Sequence, residues 1–492
     1  MSNKEKKALV LGLGNSGYTM AKFLSSRGWS LVLADTRNNP PKYQQLCDEG
    51  IKAPCVWGQP SLDILEGCSL VAISPGLSPE HSLYAPLIQA AKERKIEVVG
   101  EIELFARELK RLRNFRNYRP KIIGITGTNG KTTTTILSSK MVAAAGHSVC
   151  CAGNVGPNAL GCLDKLLKEN QLPEYWVLEL SSFQLETTSS LSCTSAALLN
   201  LTEDHVDWHG TLGRYLEAKA RIFRGAQNRI LNRGDAASFA FSEGAGKFDV
   251  FTFGLDKPRA LNDFGLIEDG KVQWLAAELD MLGEKNKRRK LAEIEGPIHE
   301  LVKLLPREEL KIRGPHNVMN ALAAAALCFS AGVDLKGIIV ALDEYKGEPH
   351  RVEKIWEAKG LTFIDDSKGT NVGATAAALA GFPEKKVVII LGGDGKGQDF
   401  WLLKEPLLKH AHHAVLIGKD APLFREVLQT TNIGFTEAAT MLEAVEKAIA
   451  VAQQGDFVLL SPACASWDMF KDYADRSAQF KAAAVALTEN KV

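Results

Sequence analysis

The stretch KIIGITGTNGKTTTT, Lys121 to Thr135, limits what this chain can fold into more than any other. Ile122, Ile123 and Ile125 read as a buried strand, Gly127 and Gly130 interrupt it, and ILSSKMVAAAG continues as a helix. Strand, tight loop and helix together turn successive backbone N–H groups toward an anion at the positive end of the helix. Lys131 is then placed to reach the β- and γ-phosphates of a nucleotide, and the Thr132 hydroxyl to meet Mg²⁺. Strict phosphate-loop spacing wants a glycine at position 125, where the chain has Ile125, so the motif is a variant running from Gly124 to Thr132. A nucleoside triphosphate site is predicted.

A chain of 492 residues is too long for one core and implies about three domains. The net charge of +1 argues against nucleic acid or membrane as a partner. Nine cysteines without C-x-x-C spacing suit a reducing, cytoplasmic setting. The longest apolar run, Ala321 to Val333, is too short to span a bilayer.

Ala8 to Leu11 reads as a first strand, followed by Gly12, Gly14 and Gly17 in G-x-G-x-x-G spacing, a helix from about Ser16 to Arg27, and a second strand ending at Asp35. This fingerprint suits a dinucleotide, with the acid on a ribose hydroxyl. Only two more strands are legible before the triphosphate loop, near Leu70 to Ser74 and Ile96 to Val99. That is about half of an NAD domain, so a nucleotide diphosphate on the helix N-terminus is the favoured ligand, with NAD and simple close packing as alternatives. Residues 107–121 hold seven basic side chains against Glu108 and read as a solvated helix end and domain boundary.

Beyond the loop, three predicted strands end in polar residues: Asn154 after the first, Glu179 after the second, Asp204 and His205 after the third. Carboxylate and hydroxyl oxygens gathered at strand ends suit Mg²⁺; His205 suits it less well. Lys219, between two alanines on a helix, reads as a solvated lysine. Residues 279–307 read as an exposed, poorly patterned excursion. Asn317 and Asn320 fall in the first turn of a helix, where amides either cap it or read a base or phosphate. From Gly347 onward a second alternating pattern predicts four strands, two of them running into DDSKGTN (Asp365 to Asn371) and GGDGKG, and the last into SPACASWDMF. Lys396, in the glycine loop, is either an anion contact or a turn lysine.

In order, GTNGKT, GN-x-G, ELSSFQLE, NLTEDH, GPHN-x-x-N, HR, DDSKGTN, GGDGKG and SPACAS-x-D-x-F resemble the Mur ligases over nearly the whole chain. Asp35 to Arg37 and Asp365 to Asn371 point to the member that adds D-glutamate. The resemblance implies an α/β protein of three domains: a Rossmann-like UDP-binding domain at 1–112, a P-loop ATPase-like central domain at 113–349, and a Rossmann-like amino-acid domain at 350–492. It further implies a monomer that closes around its substrates, ATP-dependent amide bond formation through an acyl phosphate, and two Mg²⁺ ions. ATP would be held by Gly127, Thr128, Asn129, Gly130, Lys131, Thr132, Thr133, Asn317, Asn320, Arg351 and Asp366. The metals would be held by Thr132, Glu179, His205 and Lys219, the lysine being carbamylated. UDP would lie on Asn15, Ser16, Gly17, Asp35, Thr36, Arg37 and Gly76, with Asn154 and His205 on the sugar-linked substrate. Lys368, Thr370, Lys396, Ser466 and Phe470 would line the D-glutamate site. Trp467 stands where the family pattern expects a smaller apolar residue.

Overall fold

The computed structural model describes residues 6–243, 249–280 and 299–489, in two compact units. The first takes residues up to 305 together with 321–342; the second takes 306–320 and 343 onward.

Within the first unit, β1 (Lys7–Leu11), β2 (Ser30–Asp35), β3 (Cys55–Trp57), β4 (Cys68–Ile73) and β5 (Glu97–Val99) form a parallel sheet in the order β3-β2-β1-β4-β5. Its inner strands are buried on both faces, as the unbroken apolar runs ALVL and LVLA require. The predicted strands all appear, and β3 is added; its three half-buried residues are too few to show a period.

A nine-stranded sheet follows in the order β14-β13-β12-β11-β10-β9-β6-β8-β7. Its members are β6 (Lys121–Thr126), β7 (Val149–Gly153), β8 (Tyr175–Glu179), β9 (Ser195–Leu198), β10 (Asn228–Asn232), β11 (Asp249–Phe253), β12 (Asp263–Asp269), β13 (Val272–Asp280) and β14 (His299–Pro306). β6 to β12 pair in parallel, and β13 turns back antiparallel on β12. The predicted excursion over 279–307 is therefore corrected at both ends. β13 runs to Asp280 with Leu279 buried, and β14 buries Leu304 and Leu305; the segment 281–298 lies outside the described residues. Charged residues hid these strands, whose burial does not follow a clean two-residue period: Leu304 and Leu305 are both buried while Leu301 is exposed.

These two sheets share one apolar core. Val10, Met20 and Phe105 belong to the same buried cluster as Leu160, Trp176 and Leu178, and the Phe105 ring meets Trp176 edge-on at 5.0 Å. The connecting helix Glu101–Arg116 is thus a packed element, with Arg27 and Arg111 both bonded to Glu108.

The second unit holds a six-stranded sheet, β15-β16-β20-β17-β18-β19, made of β15 (Glu353–Ala358), β16 (Leu361–Asp365), β17 (Val387–Gly392), β18 (Ala411–Ile417), β19 (Gly434–Glu437) and β20 (Phe457–Leu460). All pairs are parallel except β15 with β16. Among the described residues no helix is long and apolar enough to cross a membrane.

Candidate active site

Parallel register sets the loop geometry. β6 lies between β8 and β9, pairing Ile125 with Glu179 and Thr126 with Leu198, so three strand ends open together where the chain leaves the sheet at Gly127. Gly127 and Gly130 take φ of 150° and 83°, backbone that side chains rarely adopt, and Gly130 starts the helix Lys131–Ala144. Asn200 grips the loop from both sides: its Oδ1 accepts from the Asn129 N–H at 2.9 Å and its Nδ2 donates to the Asn129 carbonyl at 3.0 Å. Thr128 Oγ1 lies 3.1 Å from both the Thr202 carbonyl and the Tyr215 hydroxyl. Thr132 and Thr133 are buried in the first helical turn.

Two lysines converge on this loop. Lys131 Nζ donates to the carbonyls of Gly127 (2.9 Å) and Thr128 (2.7 Å), and Lys219 Nζ donates to the same Gly127 oxygen at 2.7 Å. Lys219 is 1% exposed, with its amine 4.5 Å from the centre of the Tyr215 ring. The residue-level reading of a solvated lysine is thereby corrected: the helix Leu212–Ala220 turns this side chain inward. Burial first, then the neighbouring charge of Lys131, push its ammonium well below the ordinary lysine range, with Asp204 and Glu179 pulling the other way.

Glu179 is also 1% exposed. Asn154 Nδ2 donates to its Oε1 at 2.8 Å, while Oε2 is buried with no hydrogen-bond partner. A buried carboxyl oxygen left without a donor suits a hard cation, so the donor set here fits the magnesium ion that a triphosphate loop implies. His205 sits at left-handed φ (54°), 3.5 Å from Asp204, with its ring edge-on to Phe183 at 4.7 Å. Phe183 in turn stacks on Trp208 at 4.6 Å, and Trp208 leans on His209 at 4.4 Å. Elsewhere, His350, Glu353 and Asp365 form a cluster of potential metal ligands, but they bond to one another: the His350 N–H to Glu353 at 2.9 Å and Nδ1 to Asp365 at 2.8 Å.

At the first glycine motif, a Cβ on Gly17 would stand 1.7 Å from the Gly12 carbonyl oxygen, whereas one on Gly14 meets nothing within 4 Å. Gly17 serves close helix packing, and Gly14 leaves the approach to the helix Asn15–Ser26 open. Asp35 is fully engaged. Oδ2 accepts from the Leu13 N–H (2.6 Å) and Arg37 Nη2 (2.8 Å), and Oδ1 from the Arg37 N–H (2.9 Å) and Nε (2.8 Å). No ribose hydroxyl is needed to satisfy it. Asn15, Thr36, Arg37 and Gly76 are exposed around this loop, and Ser16 is half-buried, 3.3 Å from Asn158 Nδ2.

In the second unit, an isolated bridge joins Asp394 to Ala465 and brings the Lys396 turn beside the 461–470 loop. Lys396 Nζ lies 5.9 Å over the exposed ring of Trp467, which answers the expectation of a smaller residue: the indole points outward and shelters a cation. Ser466 is buried, Phe470 packs into the core behind it, Lys368 Nζ lies 5.0 Å over the Tyr473 ring, and Thr370 is half-buried. Asp366 accepts from Ser461 Oγ at 2.7 Å, and burial pushes its carboxyl up to about 7. Asn317 Nδ2 donates to the Arg313 carbonyl at 2.8 Å, and Asn320 donates to Asn317 at 3.1 Å.

Sequence reasoning missed three residues that hold these parts. Asn200 was inside a noted strand exit, and its amide was the available signal. Tyr215 gave none. Arg476 is fully buried: its guanidinium donates to the Cys464 carbonyl (3.0 Å) and the Ser367 carbonyl (2.8 Å), tying the two loops that carry Ser466 and Thr370. An arginine on a helix, Tyr473–Thr488, looks solvated in sequence.

Three family models match the chain: the MurD-like N-terminal domain of Mur ligases over residues 6–100, the Mur ligase middle domain over 125–328, and the Mur ligase glutamate ligase domain over 350–464. The chain belongs to the Mur ligase family. Curated relatives of this Mur ligase include proteins named UDP-N-acetylmuramoylalanine–D-glutamate ligase from Ralstonia nicotianae, 47% identical with 98% of this chain and 97% of the relative covered, and from Paraburkholderia phymatum, 49% identical with 96% and 94% covered. Among solved structures, MurF from Acinetobacter baumannii is similar at a TM-score of 0.56 and 18% identity, covering 97% of this chain and 94% of that one. MurF from Thermotoga maritima in complex with ADP gives 0.56 and 17%, covering 99% and 100%. Both share the three-domain α/β architecture of the family.

Proposed function

We propose that this Mur ligase joins D-glutamate to UDP-N-acetylmuramoyl-L-alanine, converting ATP to ADP and phosphate. Near-full-length identity of 47% to a ligase named for that reaction carries the reading. In the first step the alanine carboxylate attacks the γ-phosphorus, giving an acyl phosphate and ADP. In the second, the D-glutamate amine attacks the acyl carbon, phosphate leaves, and the amine gives up its proton.

The roles of the chain's residues rest on the resemblance to the family. The backbone of Gly127, Thr128, Asn129 and Gly130 cradles the phosphates; Lys131 swings from the loop carbonyls to the β- and γ-oxygens. Thr132, Glu179, His205 and carbamylated Lys219 would hold two Mg²⁺ ions, which when bound supply charge neutralisation for the transferring phosphoryl group. Support for the carbamate comes from burial, which favours the neutral amine, the form able to add to carbon dioxide. Asn154 donates to Glu179 and, with His205, would contact the sugar-linked substrate. Gly14 and the N-terminus of the helix that begins at Asn15 receive the UDP diphosphate, with Ser16, Gly17, Thr36 and Gly76 around it. Arg37 is the outward half of its ion pair with Asp35.

On the second unit, Asn317, Asn320, Arg351 and Asp366 take ATP, while Lys368, Thr370, Lys396 and Ser466, backed by Phe470, take the two D-glutamate carboxylates. The nine free cysteines support a reducing, cytoplasmic setting, and the enzyme acts as a monomer. Phosphate release measured across a panel of amino acids and UDP-sugars tests the whole. Release should require both UDP-N-acetylmuramoyl-L-alanine and D-glutamate; equal turnover with L-glutamate or L-lysine refutes it.

A further inference from the structure

The ligase reaction gives no role to the basic run at 107–121. At the end of the central sheet opposite the phosphate loop, where β6 and β9 begin, lies an open groove of about 570 Å³. That volume is within the range of small-molecule sites. Its floor carries apolar Leu109, Ile122 and Leu191 beside the uncharged polar Ser190, Thr194 and Gln227. Its rim is cationic: Lys110, Arg113 and Arg119 are all exposed and line it.

The charges of this helix sort by direction. Arg107 and Arg111, on neighbouring positions, are spent on Glu97, Glu103 and Glu108. Lys110 and Arg113 line the groove instead, and among the described residues neither has a carboxylate partner; Arg119 bonds only to the neutral Asn117 amide, at 2.9 Å. Among the described residues no acidic side chain lines the groove, although the chain carries 58 acids against 59 bases. Like charges collected around a concave floor that carries no acid to neutralise them fit an anion better than bulk water. The floor adds a second requirement, an apolar body beneath the charge.

We propose that this groove binds a small amphipathic phosphate monoester, an apolar ring system seated on Leu109, Ile122 and Leu191 with its phosphate among Lys110, Arg113 and Arg119. Arginine forks donate N–H groups in pairs to phosphate oxygens, and the lysine adds a point charge. β6 spans only Lys121 to Thr126, so this site and the triphosphate loop occupy opposite ends of one strand.

The probe is 1-naphthyl phosphate, titrated into the full-length protein with saturating ADP present so that the nucleotide loop is filled. It should bind at least about tenfold more tightly than either 1-naphthol or inorganic phosphate, since each carries only half of the recognised chemistry. The double variant K110E/R113E should weaken it by about tenfold or more, leaving the thermal midpoint and the ligase rate unchanged, because both side chains are exposed. Binding that survives the charge reversal, that equals 1-naphthol, or that falls as ADP is raised overturns the proposal. So does equal or better binding to phosphatidylglycerol vesicles, which would make the patch a lipid surface.

Discussion

Gly14 and Gly17 lie three residues apart in one motif, and the structure separates what they do. A Cβ at Gly17 would stand 1.7 Å from the Gly12 carbonyl oxygen and 2.8 Å from its carbon, where contacts under 3.0 Å are essentially never seen. Both clashing atoms are backbone, so the helix Asn15–Ser26 must move away from β1 by roughly 1.5 Å to reach ordinary contact. Overpacking of this kind costs about 1–3 kcal/mol, which lowers the unfolding midpoint of a domain this size by several degrees, at about 2–4 °C per kcal/mol. Gly17→Ala should therefore lose stability and, because the helix N-terminus moves with it, UDP-substrate affinity. At Gly14, φ is −82° and a Cβ meets no atom within 4 Å, so Gly14→Ala should leave the midpoint within about 2 °C. That methyl occupies the path by which a diphosphate approaches the helix, and KM for the UDP substrate should rise by about tenfold with kcat little changed. Differential scanning fluorimetry and steady-state kinetics on both variants decide the matter. A Gly14→Ala enzyme with unchanged KM would refute the diphosphate position, and a Gly17→Ala enzyme of native stability would refute the packing argument.

Glu101 is buried, and desolvation raises its carboxyl to about 7 while the Leu160 N–H opposes this. A raised acid stabilises the fold below its unfolded value of 4.5 and loses that contribution as pH climbs through 7. Between about pH 5 and pH 8 the loss is roughly 2.5 kcal/mol, so Glu101→Gln should become progressively more stable than the parent across that range in urea melts, and parallel curves would disprove it. Lys131→Ala should abolish phosphate release with the fold intact by circular dichroism; near-normal turnover would remove the loop from the chemistry. Lys219→Ala opens a space beside Gly127, and activity should fall and then return in part with added formate or acetate. Full activity without them would dispose of the carbamate.

The loop at Gly127 was legible because its signal is local: strand, glycine and helix-starting residues are adjacent. So were the parallel sheets, whose inner strands are buried on both faces and announce themselves as apolar runs. Lys219 was opaque at the level of residue pattern, since alanines on either side say nothing about which face of a helix turns inward. Arg476 was opaque for the same reason: its partners, Ser367 and Cys464, are distant in sequence. The partners of Asp35 were opaque as well, because spacing alone cannot reveal that Arg37 and the Leu13 amide bond to both of its oxygens. β14 was hidden by charge, because lysine and glutamate mark the outer face of a half-buried strand as readily as a loop.

The aromatic group around Phe183 gives this enzyme a built-in optical gauge. Phe183, Trp208 and His209 meet one another pairwise, so emission from the Trp208 indole responds when either neighbouring ring shifts. Phe183 also meets His205, and because seven other tryptophans emit as well, the difference between the parent and a Trp208→Phe variant in a rapid-mixing fluorimeter isolates what happens at this group.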